Sequence, residues 1–240
     1  MNPIAHDSFN SMKNFIFLSL TLLASGVAFC DEEYTELFKV TIEASQAEVN
    51  VNFASSVNKV SIKTDKSQAA SSCIYNVVRS GKELIINAVQ TNSSLRCSYA
   101  FTLTIPTSLH FDVTLNQGNV KMSGDFTDSV LEVGEGSVEV HGKGAALQIK
   151  GKKTSFDFKG SSPLLAIDLV EGPITLDFTD LPRSGELQLD SKKGDVTITL
   201  PRGVEISGEY YPKRYSTEFR SKYGYKFLNR VYNGQVKIKR

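Results

Sequence analysis

The feature that most constrains the fold is a regular repeat in the second half of the chain. Short apolar pairs recur two and four positions after a turn residue. The turn residues are Gly118, Gly136, Thr154, Gly172 and Gly194. The first three steps are equal, at ~18 residues, and the last is longer because the segment 181–185 is inserted. A constant period of this size predicts a solenoid, in which each repeat is a rung that stacks on its neighbours.

Each rung also contains an apolar pair upstream of the turn residue. These pairs are Val113 with Leu115, Leu131 with Val133, Leu147 with Ile149, Ile167 with Leu169, and Leu187 with Leu189. A rung of this length holds two strands of about five residues and two turns of about four. The sequence therefore predicts an all-β fold, a two-sheet parallel β-solenoid with ~18-residue rungs. An antiparallel β-sandwich is the alternative, since its strands have a similar spacing.

Glycine is expected at the turns because a tight corner favours a positive φ. Thr154 departs from this pattern. We expect a distorted turn at Thr154, with Gly151 supplying the bend.

The first part of the chain is less regular. Residues 38–42, 49–53 and 99–105 alternate between apolar and polar side chains, and a hairpin is expected around Gly81. We predict that residues 31–105 form the first rungs and an N-terminal cap, that the regular rungs occupy residues 106–204, and that residues 205–240 form a C-terminal cap.

The N-terminus is typical of a leader for export. Residues 15–27 form an uncharged apolar run that follows Lys13 and precedes acidic residues. The run is too short to span a bilayer and matches a secretory signal peptide. Residues 1–30 are therefore predicted to be a signal peptide with Met12 as the true start. Cleavage after Cys30, or lipid attachment to a retained Cys30, would leave the chain in the periplasm or at the cell surface.

Two cysteines remain beyond the predicted leader, Cys73 and Cys97. An even pair in an oxidising compartment predicts a disulfide, which would close the segment between them. The alternative is two buried free thiols. A redox-active or zinc-binding pair is not expected, because the sequence has no Cys-x-x-Cys motif.

The repeat units resemble those of a bacterial family of exported proteins labelled "putative adhesin". Alternating strands lead to TIP at 104–106, and the units that begin at Gly118, Gly136, Gly172 and Gly194 read GNVKM, GSVEV, GPITL and GDVTI. The resemblance covers roughly residues 35–204. It implies an exported or membrane-associated β-solenoid, and it supplies no active-site residues.

The charged residues exclude several functions. Lys and Arg number 27 and Asp and Glu number 26, which is not the balance of a nucleic-acid-binding protein. Asp157, Asp168 and Asp177 alternate with apolar residues and are predicted to face outward. The positions equivalent to Asp157 form a mixed ladder: Lys121, Glu139, Asp157, Thr175 and Thr197. We interpret this ladder as a solvated face, and a glycan-active enzyme using Glu139 and Asp157 is the alternative.

The C-terminal segment is basic and rich in tyrosine. Residues 212–240 contain nine Lys or Arg against Glu218 alone, and residues 210–232 hold six of the nine tyrosines. Such a segment could contact anionic envelope polymers, glycans or a host surface. The alternative is a cap whose aromatic rings pack on the last rung. The candidate contact residues are Lys213, Arg214, Tyr215, Arg220, Lys222, Tyr223, Tyr225, Lys226 and Arg230.

These observations predict a non-catalytic, exported protein of the cell envelope that acts in binding, adhesion or scaffolding. A glycan-active enzyme and a self-assembling envelope filament are the alternatives. We expect no cofactor and no metal, because His110 and His141 are read as surface or turn residues and no ligand motif is present.

Overall fold

The structure is a computed structural model that describes residues 32–66, 73–90, 97–211 and 216–239; for residues 32 and 209–211 it describes the backbone alone. The predicted leader, Met12 and Cys30 lie outside the described residues. The described residues form strands, turns and bends and contain no helix. The predicted all-β class is therefore confirmed.

Sixteen strands make up the described chain. They are β1 (Glu32–Thr35), β2 (Lys39–Ala54), β3 (Lys59–Asp65), β4 (Asn76–Ser80), β5 (Glu83–Ala88), β6 (Tyr99–Pro106), β7 (His110–Ser123), β8 (Phe126–Ser161), β9 (Leu164–Glu171), β10 (Ile174–Phe178), β11 (Gly185–Lys193), β12 (Val196–Thr199), β13 (Ile206–Tyr211), β14 (Ser216–Ser221), β15 (Tyr225–Asn233) and β16 (Val236–Lys239).

All sixteen strands belong to one large mixed sheet. Its pairings run along two ladders, because the long strands β2, β7 and β8 each contribute to both. The first ladder runs β4–β5–β2–β7–β8–β9–β11–β15–β14–β13. The second ladder runs β1–β3–β6–β2–β7–β8–β10–β12–β16. The strands in the middle of both ladders are parallel, and the antiparallel pairs lie at the ends.

The parallel pairs have the spacing that the sequence predicts. Val113 lies beside Leu131 on the first ladder, and Val120 lies beside Val138 on the second, so each residue meets its equivalent on the next rung. The step from Ile174 to its next neighbour is longer, because the segment 181–185 intervenes. Side chains of these pairs point inward and are buried, whereas the residues between them face outward.

One predicted pairing is shifted by two residues. The apolar pairs place Ile167 and Leu169 as the counterparts of Leu147 and Ile149, but in the structure Leu147 lies beside Leu165 and Ile149 beside Ile167. A shift of two residues keeps the same side chains inward, so alternation alone cannot distinguish the two registers.

The glycine corners are confirmed as positive-φ positions. Gly136 has a φ of 143°, and a Cβ placed there would lie 1.8 Å from the carbonyl oxygen of Gly118 on the preceding rung. Glycine is therefore required both by the backbone conformation and by the close approach of the neighbouring backbone at Gly118.

At Thr154 the corner forms without a glycine, and the prediction that Gly151 supplies the bend is wrong. Thr154 is buried, and its hydroxyl donates a hydrogen bond of 2.6 Å to the carbonyl oxygen of Val133. Gly151 does not have a positive φ. A Cβ at Gly151 would lie 2.6 Å from the Thr154 hydroxyl oxygen. Gly151 therefore makes room for the threonine side chain.

The two ends of the sheet carry antiparallel additions. The predicted hairpin is confirmed, with β4 antiparallel to β5. The predicted disulfide is also confirmed: Cys73 and Cys97 are bonded, with their Cα atoms 5.5 Å apart. At the other end, β15 and β16 add parallel strands to both ladders, and the β13–β14 hairpin extends the first ladder beyond β15.

The core lies between the inward faces of the two ladders. Aromatic rings form a continuous column through its C-terminal half, with neighbouring ring centroids 5.0 to 6.5 Å apart. The members of this column are Phe156, Phe158, Phe178, Tyr225 and Phe227. Each is at most 2% exposed, so these rings contribute much of the apolar burial at this end.

Candidate binding groove

The basic C-terminal residues are distributed over several places. Lys213, Arg214 and Tyr215 lie outside the described residues. Three of the remaining cations each face a carboxylate. The pairs are Arg220 with Glu218 (3.1 Å), Lys222 with Glu205 (3.7 Å) and Arg230 with Asp190 (2.9 Å). The positive charge that is concentrated in the sequence is thus partly neutralised in the structure.

The two candidate tyrosines of the described segment have different surroundings. Tyr223 is 71% exposed. Tyr225 is fully buried, and its hydroxyl donates a hydrogen bond of 3.0 Å to the carbonyl oxygen of Ser162. Burial raises the pKa of Tyr225 above the ordinary range of a phenol. Tyr225 is therefore part of the core and its ring is not accessible to a ligand, as the cap interpretation expects.

Lys226 is partly exposed on the outward side of β15, where it lies in register with Glu186 of β11 and Arg220 of β14. Lys226 therefore has a carboxylate on the strand to one side and a second cation on the strand to the other.

A groove lies beside these residues on the outward side of the first ladder. Its volume is about 660 Å³, and its walls come from β8, β9, β11, β15 and β14. Outward side chains occupy alternate positions of each strand. Those that lie in register on neighbouring strands form two columns that run across the groove. The lining residues are Gln148, Ile149, Ala166, Ile167, Asp168, Gln188, Leu189, Asp190, Ser216, Thr217, Glu218, Leu228, Asn229 and Arg230.

The first column of the groove consists of an amide on each side of a small residue. Ala166 lies in register between Gln148 and Gln188. Because an alanine side chain ends at Cβ, the surface is lower between the two amides. The column continues through Leu228 to Glu218 on β14. Gln188 donates a hydrogen bond to the Glu186 carboxylate, which holds its amide in place.

The second column carries charge. Asp168 lies in register between Lys150 and Asp190, and Asp190 in turn lies beside Arg230. The guanidinium of Arg230 is 2.9 Å from the Asp190 carboxylate. This side-by-side placement of carboxylates and cations requires strands from distant parts of the sequence.

The lining residues carry more negative than positive charge. Asp168, Asp190 and Glu218 oppose Arg230 alone, so the lining has a formal net charge of −2. This charge disfavours an anionic ligand in the groove. The same carboxylates, with two amides and the hydroxyl of Ser216, can accept and donate hydrogen bonds to a ligand rich in hydroxyl groups.

Outward carboxylates lie on both ladders, and two of those on the second ladder, Glu139 and Asp177, are held in ion pairs. Asp157, Asp168 and Asp177 all face outward, as predicted. Glu139 has Lys121 at 3.5 Å and His141 at 3.4 Å, and Lys159 is 4.0 Å from Asp177. Glu139 also lines a smaller groove of about 290 Å³. The Lys121–Glu139 and Lys159–Asp177 contacts join neighbouring strands, as charge pairs on a solvated sheet do, whereas His141 lies on the same strand as Glu139.

The other predicted surface histidine also has a defined place. The His110 ring contacts Phe38 at a centroid distance of 4.5 Å, and its Nδ1 atom is 3.5 Å from the Asp128 carboxylate. Nearby, Lys39 is 2.7 Å from Asp112, and this hydrogen bond is the main cause of the raised pKa of Lys39. Both contacts tie adjacent strands together.

Two further features are absent from the described part of the chain. No three His, Cys, Asp or Glu side chains in residues 32–66, 73–90, 97–211 and 216–239 are grouped so that they could hold a metal ion. Within the same ranges, no helix has the length and apolar character needed to cross a membrane.

Neither a family model nor a curated protein matches this sequence. Solved structures do. A "putative adhesin" from Bacteroides fragilis has 10% identity and a TM-score of 0.46, covering 90% of this chain and 98% of its own. A "putative cell adhesion protein" from Clostridium sporogenes has 11% identity and a TM-score of 0.35, covering 88% and 99%. A "putative adhesin" from Parabacteroides distasonis has 9% identity and a TM-score of 0.32, covering 88% and 97%.

The names of these solved proteins agree with the label of the family that the repeat units resemble.

Proposed function

We propose that this chain is an exported, non-catalytic protein of the bacterial envelope that binds glycan in the groove on its first ladder. In this proposal the fold is a two-sheet parallel β-solenoid with ~18-residue rungs. The constant offset between parallel neighbours supports it, because a coil that returns to the same face at every turn produces such an offset. An antiparallel β-sandwich does not produce parallel neighbours.

The observation that carries the binding proposal is the chemistry of the groove. Gln148 and Gln188 flank the depression at Ala166, and Asp168 and Asp190 lie beside it. Sugar hydroxyls both donate and accept hydrogen bonds, so they match a row of amides and carboxylates. Neighbouring strands repeat these groups at about 4.8 Å intervals on a rigid sheet, which suits an extended polymer.

Export is supported by two features of the chain. The leader predicted at residues 1–30 directs the protein out of the cytoplasm. The Cys73–Cys97 disulfide is stable in an oxidising compartment and is uncommon in the cytosol. An envelope or host glycan is therefore the partner class, and adhesion and scaffolding are two uses of the same binding surface.

A glycan array followed by titration calorimetry tests the proposal. The variants Asp168→Asn and Gln188→Ala change outward groove side chains, and we expect each to weaken binding about fivefold or more, as losing a hydrogen bond worth about 1 kcal/mol does. Thr197→Ala on the outward face of the second ladder is the matched control and should change affinity by less than about twofold. A glycan affinity that the groove variants leave unchanged, or no binding to any glycan, would overturn the proposal.

The enzyme alternative is tested in the same samples. Bound glycans are incubated with the protein and their chain length is followed by mass spectrometry. We expect no shortening. Shortening that disappears in Asp157→Asn would establish the glycan-active alternative in place of the binding role.

A further inference from the structure

The two ends of the second ladder are open edge strands of opposite charge. β16 pairs with β12 on one side, and no described strand pairs with its other side. β1 pairs with β3 at the opposite end and likewise has one side without a described strand. An open edge presents unpaired backbone N–H and C=O groups that can accept another strand.

The charges at these edges are complementary. β16 directs Lys237 and Lys239 outward, and the residue that follows in the sequence is Arg240. The N-terminal segment 31–36 reads DEEYTE. Glu33 of β1 is exposed, and its carboxylate forms an ion pair with the Nζ atom of Lys59 at 2.6 Å. Lysines on an edge oppose pairing with an identical edge, but they favour pairing with an acidic one.

The direction and the apolar positions of the two strands also match. β1 is antiparallel to β3, and β3 is antiparallel to β6, so β1 runs in the same direction as β6 and the parallel strands up to β16. Each strand has four residues. Tyr34 of β1 and Ile238 of β16 both point toward the core and remain partly exposed at its two ends.

The ends are stepped in complementary senses. At the C-terminal end the first ladder extends two strands, β14 and β13, beyond β15, whereas the second ladder ends at β16. At the N-terminal end the second ladder extends two strands, β3 and β1, beyond β6, whereas the first extends only β4 beyond β5. One ladder therefore projects beyond the other at each end, the first ladder at the C-terminal end and the second ladder at the N-terminal end.

We propose that β16 of one copy pairs in parallel with β1 of a second copy, head to tail, so that the second ladder continues from one molecule into the next. Aligning the full length of both strands places Glu33 beside Lys237, Tyr34 beside Ile238 and Thr35 beside Lys239. This assembly does not use the groove, so its failure and the failure of the proposed glycan binding are separate results.

Charge reversal tests the proposal. The secreted chain is studied by sedimentation velocity over a range of concentrations at low salt, where we expect association that grows with concentration and weakens as salt is added. Lys237→Glu combined with Lys239→Glu, and separately Glu33→Lys, should each weaken association at least about tenfold, since like charges then meet. Combining all three changes should restore it. Lys121→Glu, in the middle of the second ladder, is the control and should have no effect.

A covalent readout fixes the register. A mixture of Thr35→Cys and Lys239→Cys proteins should form an intermolecular disulfide, because paired strands bring their Cα atoms within bonding range. Thr104→Cys mixed with Lys239→Cys should not. A chain that remains monomeric at every concentration in low salt, or association unaffected by the charge reversals, would overturn the proposal.

Discussion

Replacing Gly136 with alanine perturbs the stacking of one rung on the next. Gly136 has a φ of 143°, a region that residues with a Cβ rarely adopt. The added Cβ would lie 1.8 Å from the carbonyl oxygen of Gly118 and 2.8 Å from its carbonyl carbon. Both atoms belong to the backbone, so no side chain can rotate away to make room.

The expected loss of stability has two parts. Holding alanine at this φ costs roughly 1–3 kcal/mol. The contact with the Gly118 oxygen is about 1 Å shorter than any that real Cβ atoms show, so the ladder must separate locally, and overpacking of this kind costs roughly 1–3 kcal/mol more. We therefore expect Gly136→Ala to lower the free energy of unfolding by about 4 kcal/mol.

Gly81→Ala is the matched control. Gly81 also has a positive φ, of 62°, but no atom lies within 4 Å of a Cβ placed there. Only the conformational cost remains, and it is about 1 kcal/mol. Urea unfolding followed by circular dichroism measures both variants against the unchanged chain.

A difference between the two variants of about 3 kcal/mol is expected. Equal losses for Gly136→Ala and Gly81→Ala would show that the rungs do not approach each other at Gly118, and the reasoning about the corners would be refuted.

Three further predictions concern the core and the disulfide. Replacing Cys73 and Cys97 with serine should lower the free energy of unfolding by about 3 kcal/mol, and treatment of the unchanged chain with a reductant should have a similar effect. Thr154→Val should cost about 1 kcal/mol in urea unfolding, because the Val133 carbonyl loses its hydroxyl donor; no loss would show that this bond does not hold the corner. Burial raises the pKa of Tyr225 above its ordinary value of 10.0, so the unfolded chain releases this proton first and stability falls as the pH rises above about 10. Tyr225→Phe should reduce that fall, and an unchanged slope would contradict the burial of the phenol.

The repeat could be predicted from the sequence because it depends on local alternation. Inward apolar residues recur every second position, and a glycine stands at each corner position of the repeat except Thr154. Both signals are physical requirements of a stacked sheet, the first from burial and the second from the close approach of rungs. The two-residue shift at Leu165 escaped prediction because both registers bury apolar side chains equally well.

The order of strands at the N-terminal end could not be predicted. In the sequence β5 and β6 lie between β2 and β7, but in the sheet β2 lies between β7 on one side and β5 and β6 on the other. The two apolar segments 38–42 and 49–53 belong to this single long strand, which contributes to both ladders. This strand order depends on pairing between segments that are distant in the sequence. A local alternation of apolar and polar residues does not determine it.

Only part of the candidate site could be predicted from the sequence. The basic C-terminal segment draws attention by composition, but Arg230 pairs with Asp190, which lies on the much earlier strand β11. The burial of Tyr225 was signalled by alternation, since Tyr225 and Phe227 occupy the apolar positions of their strand. Gln148 and Gln188 occupy outward positions of predicted strands, so alternation places them on the surface, but only the stacking register brings them to one groove.

Export is the condition on which every proposed role of this chain depends, and protease shaving of cells tests it most directly. Intact cells, cells with the outer layer opened, and fully lysed cells are treated with protease, and the released peptides are identified by mass spectrometry. We expect that peptides from the regular repeats, such as those around Gly136, are released before the inner membrane is broken. Release from intact cells would place the groove at the surface, where it can serve adhesion, and release only after the outer layer is opened would favour a scaffold. Peptides that are released only on full lysis would contradict the account.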